Sequence, residues 1–318
     1  MAERHRLWVV ESNGTPRSGK GTITEGLTNK FPGSAQDETG ADYRAVTFGL
    51  INDRVLDPEM SEGAVEKVVT RLSQAEIAHY AAERYEIVAE YGNDSLYTEE
   101  INGIVGLVSP HKVVRGAVKK GFAKRVSRHV ADTEVRMLFV DGRNLSPVIR
   151  TVKGAEILLR QFIDCQPQVA AQREAARKDV DLKDPDNTEW FLRTLRDIRS
   201  RQMKDEHRIT DPVRPDKNAI KYWSNSGVLA ETTQRLALLH RMPFAEASTI
   251  ITADADGFRR DGRRGVGAKA VVQRRQVYFD TSETTKDSML EFAKRMVEEA
   301  LEESAGIYRP LCDELIST

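Results

Sequence analysis

The chain has 318 residues, of which 40% are hydrophobic and 31% are charged, and its formal net charge is −1. This composition is typical of a globular protein with a sizeable core and excludes wholesale disorder. A net charge near zero creates no overall field that attracts nucleic acid or anionic lipid, so any basic site must be local. The two cysteines, Cys165 and Cys312, have no CxxC or CxxH partner. That spacing disfavours a disulfide framework or structural zinc and favours a reducing cytoplasm.

The predicted elements alternate between strand and helix. Residues 7–10 form an apolar run that is too short for a secretory signal and predicts a buried strand, and no window approaches the length of a membrane span. Strands joined by helical crossovers predict an α/β fold, with a parallel sheet covered by helices on both faces. The remaining predictions are strands at residues 137–140 and 156–163 and helical stretches at 21–30, 61–91, 167–178, 189–207 and 286–304.

A glycine-rich segment lies between the first predicted strand and the first predicted helix. Its glycines allow successive backbone N–H groups to turn toward a phosphate, and its lysine can bridge two phosphates. The positive end of the following helix adds to the attraction. The sequence therefore predicts an ATP phosphate-binding loop made of Gly14, Thr15, Pro16, Arg17, Ser18, Gly19, Lys20, Gly21 and Thr22.

A second motif, Thr-Gly-Ala-Asp-Tyr-Arg at residues 39–44, follows shortly after the glycine loop. Together the two motifs resemble the cytidylate (CMP/dCMP) kinase family, whose members are P-loop nucleoside-monophosphate kinases. Three further segments resemble the same family in the same order: Val114-Arg115, the run from Asp141 to Asn144, and the pattern Arg201, Asp205, Arg208. Spacings of four and three residues place the last three side chains on one helical face. The resemblance covers about residues 7–222 and 277–302.

The resemblance implies transfer of the γ-phosphoryl group of ATP to CMP or dCMP, with Mg²⁺ held through water by Asp141. Such transfer needs aligned phosphates and neutralised charge, so no histidine or carboxylate base is required. The implied catalytic residues are Lys20, Arg143, Arg201 and Arg208. The implied acceptor-binding residues are Thr39, Tyr43, Arg44, Arg115, Arg143, Asn144, Asp205 and Arg208.

The family's organisation implies a three-layer P-loop fold with helical acceptor-binding and lid subdomains. We expect one domain over residues 1–318, with the acceptor-binding subdomain at 57–120, the lid at 183–211 and a closing helix at 283–304. Residues 223–276 are an insertion. Its basic part, residues 259–275, is the segment whose charge suits a nucleic-acid partner, although a solvated surface excursion is the simpler interpretation. We otherwise expect a monomer in the cytoplasm, without membrane attachment.

Four residues depart from the family's usual pattern. Arg17 and Gly106 stand where the family usually has glycine and serine, and Asn144 and Gln202 replace aspartates. These changes leave the preference for base and sugar open. They also leave two alternatives: a kinase for another small acceptor, and a non-catalytic P-loop regulator that uses the insertion to bind RNA or protein.

Overall fold

The computed structural model describes residues 6–207, 212–214, 220–223, 250–253, 259–261, 276–281 and 285–316. The chain divides into two compact units. We call them the sheet unit, made of Trp8–Gln36, Val135–Asn144 and the chain from Glu156 onward, and the helical unit, made of Asp37–Glu134, Leu145–Ala155 and the residues before Trp8.

The strands are β1 (Leu7–Gly14), β2 (Ser34–Glu38), β3 (Met137–Asp141), β4 (Ala155–Asp164), β5 (Ile220–Trp223), β6 (Ile250–Ala253), β7 (Arg259–Asp261) and β8 (Gln276–Asp280). In the described part of the chain they form one sheet in the order β2-β3-β1-β4-β8-β5-β7-β6. The pairs β1–β3, β4–β8 and β5–β8 are parallel, whereas β7 is antiparallel to both β5 and β6.

The helices are α1 (Lys20–Lys30), α2 (Thr39–Asn52), α3 (Glu62–Val69), α4 (Gln74–Ala82), α5 (Arg84–Tyr91), α6 (Glu99–Val108), α7 (Lys112–Ala131), α8 (Ser146–Ile149), α9 (Pro167–Arg177), α10 (Thr188–His207) and α11 (Lys286–Ile316). Short 3₁₀ helices lie at Asn93–Tyr97 and Pro185–Asn187. Among the described residues, no helix is both long and apolar enough to cross a membrane.

The core of the sheet unit lies between the central strands and helices α1 and α11. Trp8 of β1 and Phe139 of β3 pack in the same apolar cluster as Leu27 of α1. The apolar stripe predicted for the closing helix is buried in this core: Met289, Phe292, Ala293, Met296, Val297, Ala300 and Leu301. Burial of that stripe against β1, β3 and β4 holds α1, and with it the end of the glycine loop, against the sheet.

The helical unit has its own apolar core. Val46 and Leu50 of α2 pack with residues of α3, α4, α6 and α7, including Val65, Ile77 and Val118. A second, smaller cluster joins the start of α2 to Ile87 of α5 and to Leu96 of the 3₁₀ helix at Asn93–Tyr97. The helix that begins at Thr39 is therefore anchored at both ends.

The structure confirms the predicted α/β fold, with a parallel sheet flanked by helices, and differs from the sequence predictions in detail. The helical stretch at residues 61–91 consists of three helices, α3 to α5. One break occurs at Ser73, which forms a capping box with Glu76: Ser73 N donates to Glu76 Oε2 at 2.7 Å, and Glu76 N donates to Ser73 Oγ at 3.2 Å. Strand β1 also extends four residues beyond the predicted end, and the first two of these, Glu11 and Ser12, still pair with β3.

The predicted insertion is described only in part. Strands β6 and β7 lie within it and extend one edge of the sheet. Most of the basic segment at residues 259–275 lies outside the described residues, as do Arg208 and the end of the predicted lid.

The glycine loop leaves β1 next to the end of β4. Thr15 N donates to the carbonyl oxygen of Ile163 at 3.1 Å, and Gly14 has φ 147°. A side chain at Gly14 would place its Cβ only 1.9 Å from the Ile163 carbonyl oxygen. The path of the loop therefore requires glycine at this position.

Replacing Gly14 with alanine should destabilise the protein by about 2 kcal/mol or more, because the backbone of either the loop or β4 must move. Thermal unfolding of the purified variant measures the loss. The control is Gly21→Ala, where no atom lies within 4 Å of an added Cβ and alanine favours the helix. Equal unfolding temperatures for the two variants would contradict the requirement for glycine.

Candidate functional site

The glycine loop folds back on itself just before α1. Lys20 Nζ donates to the carbonyl oxygen of Thr15 at 2.7 Å, and Ser18 Oγ donates to the same oxygen at 3.0 Å. Gly19, with φ 94°, is the N-cap residue that immediately precedes α1. The first N–H groups of a helix have no acceptors within the helix, so this end of α1 is suited to an anion.

Two residues that sequence reasoning gave no role hold the loop from the side of β8. The hydroxyl of Thr281 lies 3.0 Å from the carbonyl oxygen of Ser18 and 2.9 Å from that of Asp164. Arg173 of α9 donates to the Thr281 hydroxyl at 3.1 Å. Sequence patterns could not show the contact of Thr281 with the loop, because it joins residues more than 250 positions apart.

Lys20 lies among four other charged residues that the sequence predicted for the site. Burial lowers the pKa of Lys20; Arg143 and Arg201 lower it further, whereas Asp141 and Asp205 raise it. Arg143 forms an ion pair with Asp205. The sheet unit therefore gathers three cations and two carboxylates at the phosphate loop, although they come from α1, the end of β3 and α10.

Asp141 ends β3 and pairs in register with Ser12 of β1. Its carboxylate acts on Lys20 and raises the pKa of that lysine. A carboxylate beside the phosphate-loop lysine suits a water-mediated contact with Mg²⁺, because Mg²⁺ retains several waters and takes the rest of its ligands from one or two carboxylates and from substrate phosphates.

The remaining residues predicted for the phosphate site lie along the same loop and the first turn of α1. Thr15, Pro16 and Ser18 are buried, and Thr22 is half-buried. Asn144 follows β3 in the sheet unit, whereas Arg208 lies outside the described residues.

The helical unit contains the other predicted cluster, centred on Arg44 of α2. The Arg44 guanidinium lies 4.5 Å from the centre of the Tyr97 ring, and its Nη1 donates to the carbonyl oxygen of Gly40 at 3.1 Å. The Tyr97 hydroxyl lies 3.3 Å from both carboxylate oxygens of Glu38. Arg44 Nε is buried and has no hydrogen-bond partner among the described residues. A buried guanidinium N–H without an acceptor is suited to a phosphate oxygen.

The other acceptor-site predictions lie in the same unit. The Arg115 guanidinium faces the Tyr43 ring at 5.8 Å from its centre, and Thr39 is buried at the start of α2. Arg44 and Arg115 therefore each face an aromatic ring. Sequence reasoning gave no role to Glu38, which directly precedes the motif, or to Tyr97, which lies 53 positions after Arg44.

Comparison with known proteins supports one family. The profile described as cytidylate kinase matches residues 12–238, which is more than half of the chain. This protein belongs to the cytidylate kinase family. Family membership identifies it as a kinase.

Curated members of the family are similar at low identity. A cytidylate kinase from Aeromonas hydrophila is 28% identical over 217 residues, which cover 67% of this chain and 84% of that protein. A cytidylate kinase from Pseudomonas putida is 26% identical over 230 residues, covering 72% of this chain and 93% of that protein. A bifunctional pantoate ligase/cytidylate kinase from Gloeobacter violaceus is 25% identical over 245 residues; these cover 76% of this chain but only 44% of that protein.

The four departures from the family's pattern are compatible with the observed backbone. Asn144 has φ 53°, a conformation that asparagine and aspartate adopt more readily than most residues. A Cβ added at Gly106 would meet no atom within 4 Å. Gln202 is buried and donates to Glu206 at 2.9 Å. Arg17 has φ 58°, a region that usually costs a residue with a side chain about 1–2 kcal/mol.

The helical unit of this cytidylate kinase family member also contains a buried cluster of four charges that the sequence did not reveal. Arg125 of α7 donates to Asp37 through Nε at 2.7 Å and to Asp42 through Nη2 at 2.6 Å. Arg84 of α5 donates to Asp42 at 3.1 Å and to the carbonyl oxygen of Glu38 at 2.6 Å. The cluster therefore joins the start of α2 to α5 and α7, and so supports the segment that carries Arg44.

Burial and pairing act in opposite directions within this cluster. Burial raises the pKa of Asp42 to about 6, although Arg125 and Arg84 lower it. Burial alone would lower the pKa of Arg125, but Asp42 and Asp37 raise it. Asp42 is consequently ionised at pH 7.5, and its negative charge depends on the two guanidinium groups.

Replacing Arg125 with methionine should destabilise the protein by about 3 kcal/mol at pH 7.5, because two buried carboxylates lose the guanidinium that they share. The loss should be smaller at pH 5. The raised pKa of Asp42 means that its protonated form stabilises the fold at low pH, and that this contribution disappears as the pH rises through about 6. Removing the guanidinium raises that pKa further.

Urea unfolding of the purified protein at pH 5 and pH 7.5 measures both effects. The matched control is Arg128→Met, an exposed arginine on the same helix, which should change stability by less than about 0.5 kcal/mol. Equal losses for Arg125→Met at the two pH values would contradict the role of Asp42.

Proposed function

We propose that this protein transfers the γ-phosphoryl group of ATP to a pyrimidine nucleoside monophosphate, CMP or dCMP, giving ADP and the diphosphate. The observation that carries the proposal is the gathering of Lys20, Arg143 and Arg201 at the phosphate loop. Membership of the cytidylate kinase family supports the same reaction. The residues around Arg44 support a second site on the protein, which would bind the phosphate of the acceptor.

The donor side of the reaction depends on cations that are already close together. Burial is the main cause of the lowered pKa of Lys20, and repulsion by Arg143 and Arg201 lowers it further. A triphosphate brings three or more negative charges to this cluster, so its binding relieves that repulsion and favours the protonated lysine. Mg²⁺, held through water by Asp141, would neutralise further charge on the β- and γ-phosphates.

On the acceptor side, Arg44 and Arg115 would bind the monophosphate, with Thr39 and Tyr43 beside them. The phosphate of the acceptor is itself the nucleophile, so the reaction needs no side chain to remove a proton. Alignment and charge neutralisation provide most of the rate enhancement in such transfers. The free Nε–H of Arg44 is the strongest structural argument for a phosphate here.

The two predicted subdomains can be assigned to acceptor binding and to the exclusion of water. We propose that the helices within residues 57–120 bind the acceptor, and that residues 183–211, including α10, act as the lid that excludes water. Arg201 and Asp205 on α10 support a lid role, because both act on Lys20. We also propose a cytoplasmic location, because the two cysteines offer no disulfide framework.

The test is ADP release from ATP–Mg²⁺ by the full chain, with CMP, dCMP, UMP, AMP, GMP or no acceptor. CMP or dCMP should stimulate release the most. Arg44→Ala should lower kcat/KM for that acceptor by about 100-fold or more, because it removes a charge that binds the transferring groups. Arg71→Ala, an exposed arginine in the same unit, is the matched control and should retain activity.

Each other outcome has a distinct meaning. Preferential stimulation by AMP, GMP or UMP would overturn the assignment of CMP or dCMP as the acceptor. The protein would still be a nucleoside-monophosphate kinase. Tight ATP binding without stimulation by any acceptor would instead support the non-catalytic regulator.

Substitution of Tyr97 should change KM for the acceptor and leave KM for ATP unchanged. Replacing it with leucine removes the ring beneath Arg44, a contact worth about 1 kcal/mol, so KM for the acceptor should rise about fivefold. Tyr97→Phe keeps the ring and should change this KM by less than about twofold, because the hydroxyl makes only long contacts with Glu38. Steady-state kinetics measures both values; an equal rise in KM for ATP would contradict this assignment.

A further inference from the structure

Arg17 is an unusual residue for the middle of a phosphate loop. Its φ of 58° lies in the left-handed region, where glycine has no steric cost and arginine does. The family usually has glycine at this position. The loop thus carries a long cationic side chain at a position where the backbone conformation favours glycine. Such backbone strain is often associated with a functional role.

The Arg17 side chain is bound to a carboxylate of α9. Its Nη2 lies 2.8 Å from Oε1 of Glu174. Only 4% of the Glu174 side chain is exposed, compared with 37% of the Arg17 side chain. The guanidinium therefore sits at the surface of the sheet unit, above a carboxylate that is enclosed by protein.

Glu174 has a second cationic partner on its own helix. Arg177 donates to it through Nε at 3.0 Å and through Nη2 at 2.7 Å, which is a bidentate pair. Burial alone would raise the pKa of Glu174, but Arg17 and Arg177 lower it to about 2. The carboxylate is ionised throughout the physiological range, and it keeps Arg177 if Arg17 moves away. Releasing Arg17 therefore leaves no buried charge without a partner.

Arg17 also lies close to the chemistry proposed for this loop. It is three residues before Lys20, within the turn whose N–H groups would face the phosphate of the proposed ATP site. A phosphate held by the loop is within reach of a side chain as long as that of arginine. Guanidinium groups bind phosphate through two parallel hydrogen bonds, which a single lysine cannot provide.

We infer that Arg17 is a second phosphate-binding cation of the loop, which exchanges Glu174 for the terminal phosphates of a bound nucleoside triphosphate. Glu174 acts as a positioning residue: it holds the guanidinium beside the loop until a more highly charged anion competes for it. The inference rests on the ATP site proposed above and adds to it a donor-specific contact made by a side chain.

The alternative is that the Arg17–Glu174 pair only ties the loop to α9. The two interpretations predict opposite effects of removing the carboxylate. If Arg17 binds the triphosphate, Glu174→Gln releases it and ATP binds as tightly as before or more tightly. If the pair is only a tie, Arg17→Ala and Glu174→Gln disturb the loop in the same way and weaken ATP binding alike.

The experiment is isothermal titration of the full chain with ATP–Mg²⁺, for the wild type, Arg17→Ala, Arg17→Lys, Glu174→Gln and the double variant. Alanine has the same backbone preference as arginine here, so the strain of the loop is unchanged. We expect Arg17→Ala to weaken binding about tenfold, Arg17→Lys to weaken it less, and Glu174→Gln to leave it equal or up to about threefold tighter. The double variant should resemble Arg17→Ala.

The controls separate a specific effect from a general one. Lys178→Ala removes an exposed positive charge next to Arg177 and should leave ATP affinity unchanged. Thermal unfolding of every variant checks that the fold is retained. Wild-type-like binding by Arg17→Ala, or equal weakening by Arg17→Ala and Glu174→Gln, would overturn the inference alone. No ATP binding by the wild type would overturn the proposed function and this inference together.

Discussion

The sheet unit depends on keeping several positive charges close together without a large electrostatic penalty. Like charges a few ångströms apart repel strongly in a partly buried site. Here carboxylates offset that repulsion: Arg143 is paired with Asp205, and Arg17 with Glu174. The apolar stripe of α11 and the contact of Thr281 with Ser18 hold the loop on which this balance depends. On the proposed function, these cations would exchange their carboxylate partners for phosphates when a nucleotide binds.

The helical unit also contains several charged side chains close together, but different groups hold them. Arg44 and Arg115 face tyrosine rings, whereas the carboxylates Asp37 and Asp42 are bound by Arg84 and Arg125. The face of an aromatic ring attracts a guanidinium group that stacks on it. The N–H groups point outward from the edge of the guanidinium, where they can donate hydrogen bonds. Arg44 is also held by a hydrogen bond to the carbonyl oxygen of Gly40, while the ion pairs of Asp37 and Asp42 support the start of α2. On the proposed function, the phosphate of the acceptor would bind Arg44 and Arg115 without disturbing the ion pairs that support the helix.

The sequence predicted the features that depend on local spacing. The glycine loop, the strands around it and the face of α10 that carries Arg201 and Asp205 follow from patterns within a few residues. It could not predict the partners of Asp42 or the ring beneath Arg44, because Arg84, Arg125 and Tyr97 are 42, 83 and 53 positions away and match no motif. The left-handed conformation of Arg17 could not be predicted from the sequence either, because arginine rarely adopts such a backbone conformation.

The departures from the family's pattern change side-chain chemistry more than backbone geometry. Asn144 adopts a left-handed conformation that aspartate would also tolerate, and Gly106 has room for a serine side chain. Neither change alters the loop or the cations around Lys20, which hold the phosphates. Among the four departures, Arg17 lies in the loop itself, whereas the resemblance relates Asn144 to the acceptor and Gln202 to the lid. Variation at these positions is therefore expected to alter which monophosphate is used, while the transfer itself depends on groups that this chain retains.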